Sequence, residues 1–498
     1  MGAVNTNSIS LAAIREDALG QLPATGTAEY LEPNDISAYG AEISTTARNP
    51  ISKNRMNKKG TITDLTSSVA FTQDTTASML LQFLEGGIYA KWQRHHSWLR
   101  TQISVAGGKF VPSVPMSGAL IKGTIIYCRG FVSNANNGLK IVDAGSTATE
   151  IATTDSASLV AEAGSAGTSV FVVGHQAPAD DIQIDAAGNI TSIVTDFTTL
   201  GLEIGQGIFL GGLDPATRFA TGDDNYGLCR VRKVDAHLLT VDKRSTAWTA
   251  NLGAGKTVHI YAGWFIKDVS VDDPQFKEHS FAFEAAYPGI DNGSEGYEYA
   301  VGNSINTMEI SLPLSNKSET SITTFGMDVH PITTVRKPWT LEQPLFLEGY
   351  ATSNDFLRLR VERADELGLS TLFKECTLTL GNNAGGENVL GHLGPKFVNY
   401  GNFDASLAFT CIFTSPEITK MIRNNCTVTM DFALANSDGT FYFDVPAMTL
   451  GDGAKDFAVN EKVKIGLSST GHGDPAFGYT IGITFFPYIP NPKSDACI

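Results

Sequence analysis

The pattern of apolar and polar positions turns on residues 60–86. Thr61 to Phe71 is β-branched and partly alternating, which predicts a strand. Thr75 or Thr76 then caps a helix, with Asp74 near its positive end. Met79, Leu80, Phe83 and Leu84 form that helix's apolar face, and Gly86-Gly87 is expected to end it. Residues 402–424 read as a second copy. Leu407-Ala-Phe-Thr410 stands for Val69-Ala-Phe-Thr72, and Ser415-Pro416 supplies a cap and a first-turn proline. Ile418, Met421 and Ile422 make the apolar face, and Asn424-Asn425 closes it.

Further blocks follow each copy in the same order. Ala300-Val301 matches Ala458-Val459, Ile310-Ser-Leu312 matches Ile465-Gly-Leu467, and Ser321–His330 matches Tyr479–Tyr488. Thr72 and Thr410 are 338 positions apart but Val301 and Val459 only 158, so the first copy carries 180 extra residues. The pattern therefore predicts one fold, repeated, with a large insertion in its first copy. The boundaries read as an extended arm at 1–40, a first domain at 41–90 and 270–338, and inserted β structure at 91–269. A connector at 339–372, a second domain at 373–488 and a short arm at 489–498 follow. Within the insertion, short apolar strands separated by Gly/Ser/Thr-rich turns suit one or two small barrel-like or sandwich modules.

Composition narrows the picture. Apolar content of 42% and charged content of 18% describe a folded chain, and 49 glycines among short β-type runs favour a mainly-β one. A net charge of −16 makes a poor nucleic-acid binder, because phosphates are repelled. Against that background Arg48, Lys53, Arg55, Lys58 and Lys59 form a basic stretch without interleaved aromatics, so it is no base-stacking platform. The six cysteines lack paired zinc spacing and are expected to be reduced. No signal peptide and no 18-residue apolar run is evident.

Candidate chemistry is thin. Leu252-Gly-Ala-Gly-Lys-Thr257 carries the end of a phosphate loop, but position 250 is Ala where that loop needs glycine. His95-His96 is too closely set to bind one metal readily, and Asp214, Asp223 and Asp224 lack the twelve-residue calcium pattern. No catalytic, cofactor or metal residue is expected, and the chain does not read as an enzyme.

The stretch from Ala47 to Gly87 resembles the N-terminal part of major tail tube proteins of long-tailed, siphovirus-type bacteriophages. Arg48, Pro50-Ile51, Arg55 and Lys59-Gly60 carry the likeness, followed by the strand, the Thr-Asp region and the helix. Asp438-Gly439, Asp444-Val-Pro446, Asn460 and the run from Tyr479 to Pro490 resemble the same family. The insertion carries no such likeness. The resemblance implies two tandem tail-tube-type β-sandwich domains, each with a flanking helix, whose sheets join those of neighbouring copies around a DNA channel. It also implies stacked rings, six-fold from three duplicated chains, with a tape measure protein and tail terminator or tip proteins as further partners. Double-stranded DNA would pass without specific binding, in a virion tail assembled in the bacterial host cytoplasm. Candidate lumen carboxylates are Asp64, Glu278, Glu284, Asp404 and Asp431, and the basic stretch is the candidate contact between subunits. A different reading is a glycan- or receptor-binding virion surface protein, using Trp92, Trp98, Trp248 and Trp264 of the insertion.

Overall fold

The computed structural model describes residues 4–48, 51, 53, 58–219, 225–245, 247–291, 293–363, 368–369 and 372–490. It is mainly β. The strands that matter for assembly begin with β1 (Ser10–Arg15), β2 (Gly26–Leu31), β3 (Pro33–Arg48) and β4 (Lys58–Asp74), then helix α1 (Ala77–Ile88). After the insertion come β5 (Ser280–Asp291), β6 (Ser294–Leu312), β7 (Glu319–Phe325), β8 (Asp328–Thr333) and β9 (Phe356–Arg363). The chain continues with β10 (Leu372–Gly381), β11 (Asp404–Ile412) and helix α2 (Glu417–Arg423). It ends with β12 (Thr427–Asn436), β13 (Gly439–Asp456), β14 (Lys464–Gly471) and β15 (Gly482–Phe486). Strands of the insertion are named below by their residues.

Two runs of strands pair in the same way. β3 pairs β4, β4 pairs β7 and β7 pairs β6, all antiparallel. Likewise β10 pairs β11, β11 pairs β14 and β14 pairs β13. Thr307–Leu312 of β6 lies antiparallel to Cys376–Gly381 of β10, which joins the runs into one sheet, β3–β4–β7–β6–β10–β11–β14–β13. The N-terminal parts of β6 and β13 cross into a second layer. There β6 takes β5 and β8 as neighbours, and β13 takes β12 and β15. β1 flanks β5 as β9 flanks β12.

The core lies between the layers, with α1 inserted. Thr76 Oγ1 accepts the Met79 N–H and starts that helix. Phe83 is buried against Phe71, Phe281 and Phe283, with ring centroids 5.2–6.4 Å away. Gly86 and Gly87 lie inside α1 and do not end it; the helix stops at Tyr89, which is left-handed at φ 53°. Their lack of a side chain has another use. A Cβ on Gly86 would come within 2.8 Å of Phe281 and 2.9 Å of Ile305, so glycine lets the helix sit close on the sheet.

The insertion builds one large sheet. Its order is 182–184, 190–192, 238–242, 227–235, 207–210, 259–262, 169–176, 124–129 and 138–141, with 97–99 also on 169–176. A three-stranded sheet of 162–163, 103–106 and 109–112 lies beside it. Two apolar clusters fill it, one around Ile208, Val231 and Ile260, the other around Phe110, Ile126 and Val170. The chain returns through Trp264–Lys267, which pairs with β15.

Three expectations change. The N-terminal segment is not simply an arm, since Leu11, Ala12 and Ala13 are buried in β1 and residues 26–40 enter β2 and β3. β1 is also tied to α1, because Arg15 pairs with the buried Glu85. Burial raises the Glu85 pKa, but Arg15, the Trp92 N–H and Arg94 outweigh it and hold the carboxyl below its usual range. The connector likewise contributes β9. The later block matches also shift: Ala300 and Val301 are buried in β6, whereas Ala458 and Val459 are exposed beyond β13. Short alternating blocks match any strand, and only the pairing shows that β13 occupies the place of β6.

Phe83→Ala is expected to destabilise the chain by about 3–5 kcal/mol, as for other buried aromatics. Denaturant unfolding would read this as a lowered midpoint with an unchanged slope.

Candidate assembly surfaces

Residues directly opposite one another in antiparallel strands share a face. One row across the eight-stranded sheet is Ile36, Phe71, Ile322, Met308, Leu380 and Ala405, and it faces the core. The next row is Asp35, Thr72, Ser321, Glu309, Thr379, Ser406 and Thr470, exposed or half-buried. A third is Glu319, Ser311, Thr377, Ala408, Ser468 and Gly451. This outer face is thus a field of Ser and Thr hydroxyls. It carries the carboxylates Asp35, Glu309, Glu319, Glu375 and Asp404 against Lys464, which pairs with Glu461.

The two ends of this sheet are open. Among the described residues β3 pairs only with β4, and Leu450–Asp456 of β13 only with β14. Beyond Ile43, β3 and the start of β4 run on as a mostly exposed ribbon, about 20 Å long at ~3.3 Å per residue. Arg48 and Lys58 face each other near its tip, and Lys53 and Lys59 are exposed beside them. Arg55 lies outside the described residues. Ile43, Ile51 and Ile62 are exposed on the same ribbon.

The family described as phage tail tube protein matches residues 6–468, spanning both runs of strands and the insertion. The chain belongs to the phage tail tube protein family. The search of curated proteins returned no match.

Of the carboxylates singled out in this tail tube protein, Asp64 and Asp404 lie on the polar side of the sheet. Asp64 accepts a hydrogen bond from Asn388 (3.1 Å), and Asp404 is exposed and accepts one from Asn383 (2.9 Å). Glu278 is exposed just before β5. Two others are corrected by burial. Glu284 is 1% exposed, paired with Arg336 at 2.5 Å and receiving the Tyr299 hydroxyl at 2.9 Å. Asp431 is 0% exposed and encircled by Arg358 (2.5 Å), Lys243 (3.5 Å) and Arg360 (3.7 Å). Neither can line a channel from there. Strand alternation alone could not tell outward carboxylates from buried ones, because the inner layer also carries charge. Asp35, Glu309, Glu319 and Glu375 of this wet face were not singled out in the sequence, although Ser/Thr-rich alternation with apolar residues marked it.

Asp431 belongs to a buried ionic cluster between the insertion and β9, β12 and β13. Asp444 of β13 receives Arg230 (2.9 Å) and Lys243 (2.8 Å) from the insertion and the Tyr479 hydroxyl (2.9 Å). Arg230 also holds Asp242 at 2.7 Å and lies 3.9 Å from the Phe477 ring centre. Arg358 and Arg360 of β9 donate to the Lys243 carbonyl at 2.7 and 2.9 Å. Charges taken this far from water persist only when paired and hydrogen-bonded. The four tryptophans of the insertion are buried, so they offer no exposed aromatic platform. Asp214 caps a short 3-10 turn, and Asp223 and Asp224 lie outside the described residues.

Burial raises the Asp444 pKa, but Arg230 and Lys243 more than offset this and leave the carboxyl below its ordinary range. A depressed folded-state pKa gives stability that is full above the unfolded value of about 3.9 and is lost as pH falls through the lowered value. Asp444→Asn is therefore expected to lose about 3–5 kcal/mol at pH 7. It should also blunt the fall in stability below about pH 4. Denaturant titrations of both proteins across pH 2–7 would read both effects.

Proposed function

We propose that this tail tube protein forms stacked rings of three chains, each chain supplying two copies of the tube domain, in a siphovirus-type tail. The observation that carries the reading is the recurrence of five strand pairings in the same order on both sides of the β6–β10 seam. A duplicated unit that already joins its own copy by sheet continuation reaches a six-fold ring with three subunits. Eight antiparallel strands per chain favour closure, because an even number lets every junction stay antiparallel.

The outer face of the eight-stranded sheet becomes the channel wall. Hydroxyls keep it wet, and Asp35, Asp64, Glu309, Glu319, Glu375 and Asp404 keep it negative, so DNA phosphates find no trap on it. The role is structural, not enzymatic. The basic ribbon that carries Arg48, Lys53, Lys58 and Lys59 reaches towards an acidic surface of the next ring, a head-to-tail contact that propagates as a filament. The tube would surround a tape measure protein, end at terminator and tip proteins, and assemble in the bacterial host cytoplasm. The buried tryptophans give the glycan-binding reading no observation to stand on.

Electron microscopy of the purified chain, with the mass of each assembly, tests the reading. Rings of three chains with six similar lobes are expected, and rings of six chains would overturn the three-chain ring. Lys58→Glu/Lys59→Glu is expected to leave rings intact but cut their stacking, as raised salt should also do. Unchanged stacking in this variant would remove the ribbon from the ring-to-ring contact.

A further inference from the structure

The β6–β10 seam is a template for a contact the chain does not make within itself. The C-terminal part of β6 has β7 on one side and β10 on the other. Its counterpart on β13 has β14 on one side, and its other edge is open among the described residues. In the same way β10 lies between β11 and β6, whereas β3 has β4 alone. The chain thus holds the seam once, complete, and both of its halves once more at opposite ends of one sheet.

The register follows from the pairings. Thr72 and Thr410 hold the same place, which makes Asp35 the counterpart of Glu375, Ala38 of Thr377, Tyr39 of Leu378 and Glu42 of Gly381. Through β7 and β14, Gly451 takes the place of Thr307, Lys455 of Ile310 and Asp456 of Ser311. In the existing seam Thr307 faces Gly381, Ile310 faces Leu378 and Ser311 faces Thr377.

Resting on the ring reading above, we infer that β13 of one chain pairs antiparallel with β3 of a second copy, Gly451 opposite Glu42, Lys455 opposite Tyr39 and Asp456 opposite Ala38.

Two features fit this register. Phe457, one residue beyond β13, is 73% exposed, while its counterpart Leu312 is buried opposite Cys376. The residue facing Phe457 across the new seam is Ile36, which is only half-buried in the lone chain. The irregular positions also coincide: the bulge at Gly453-Ala454, with Gly453 at φ 95°, would face Gly40 at φ 142°. Both are glycines in conformations that other residues resist.

Disulfide trapping tests the register, since opposed residues lie 4.5–5.5 Å apart at Cα, within disulfide range. Assembled Ala38→Cys/Asp456→Cys and Glu42→Cys/Gly451→Cys chains are treated with a mild oxidant and run on non-reducing gels. A reductant-sensitive ladder of linked chains is expected from both pairs. The slipped pair Tyr39→Cys/Asp456→Cys should give none, because a one-residue shift turns one side chain to the other face. Should a double variant fail to assemble, Ala38→Cys and Asp456→Cys chains are mixed at low proportion into the wild type, where only a linked pair is expected. Rings without links at the matched pairs, or with equal links at the slipped pair, would overturn the register and leave the ring reading standing. A wild-type chain that forms no ring or tube, and cysteine chains that never link, would overturn both.

Discussion

A β-strand edge in water carries a row of unpaired N–H and C=O groups, and a long flat one invites any other strand to pair with it. That constraint organises this molecule. One sheet of eight strands runs through the chain with β3 at one end and β13 at the other. Neither end carries a proline within the open stretch, and among the described residues neither pairs with a further strand. Natural sheets blunt such edges unless they are meant to be used. The rest of the fold supports the geometry of those edges: α1 packs close on the sheet through Gly86, and β6 and β13 bend between layers, so that the C-terminal half of β6 meets β10 while that of β13 presents an edge.

The second determinant is the ionic cluster at Asp444. The insertion departs from the first run of strands after α1, yet its charged residues Arg230 and Lys243 lock onto β13 of the second. It then pairs Trp264–Lys267 with β15 before the first run resumes. The insertion therefore braces the second half against the first. Because Asp431 and Asp444 face each other within the β12–β13 ladder, the cluster fixes the N-terminal half of the strand whose C-terminal half is open. Hydrophobic burial alone would hold the insertion in place, whereas buried opposite charges also specify one orientation, since any other would strand a charge.

Much of this was legible in the sequence, for physical reasons that differ from part to part. The strand–helix unit at 61–88 and its counterpart at 404–423 showed because β-branched runs and capped apolar helices are local signals. The mainly-β class followed from composition, whereas the tail tube family came from a resemblance carried by Arg48, Pro50-Ile51, Arg55, Lys59-Gly60 and the run from Tyr479 to Pro490. β1 was not recognised as a strand, being a short apolar run inside a polar terminus, and β9 was read as a charged strand of the connector and not of the sandwich, because it alternates arginine with apolar residues. Its Arg358 and Arg360 are nevertheless buried or half-buried, satisfied by partners more than a hundred residues away. Asp431 and Glu284 were misread for the same reason, because a carboxylate's environment depends on long-range partners that periodicity does not contain. The later repeat blocks were misaligned because sheet register is set by neighbouring strands and not by the strand itself.

The central claim is that the chain carries one finished seam and the two halves of another. Amide hydrogen exchange on lone chains and on assembled material addresses it most directly, read strand by strand. On the present account, residues 307–312 and 376–381 are protected in both states, while the amides of 35–42 and 450–456 that point away from β4 and β14 exchange fast in the lone chain and become protected on assembly. Assembly that left 35–42 and 450–456 as fast as before, with protection gained elsewhere, would contradict it.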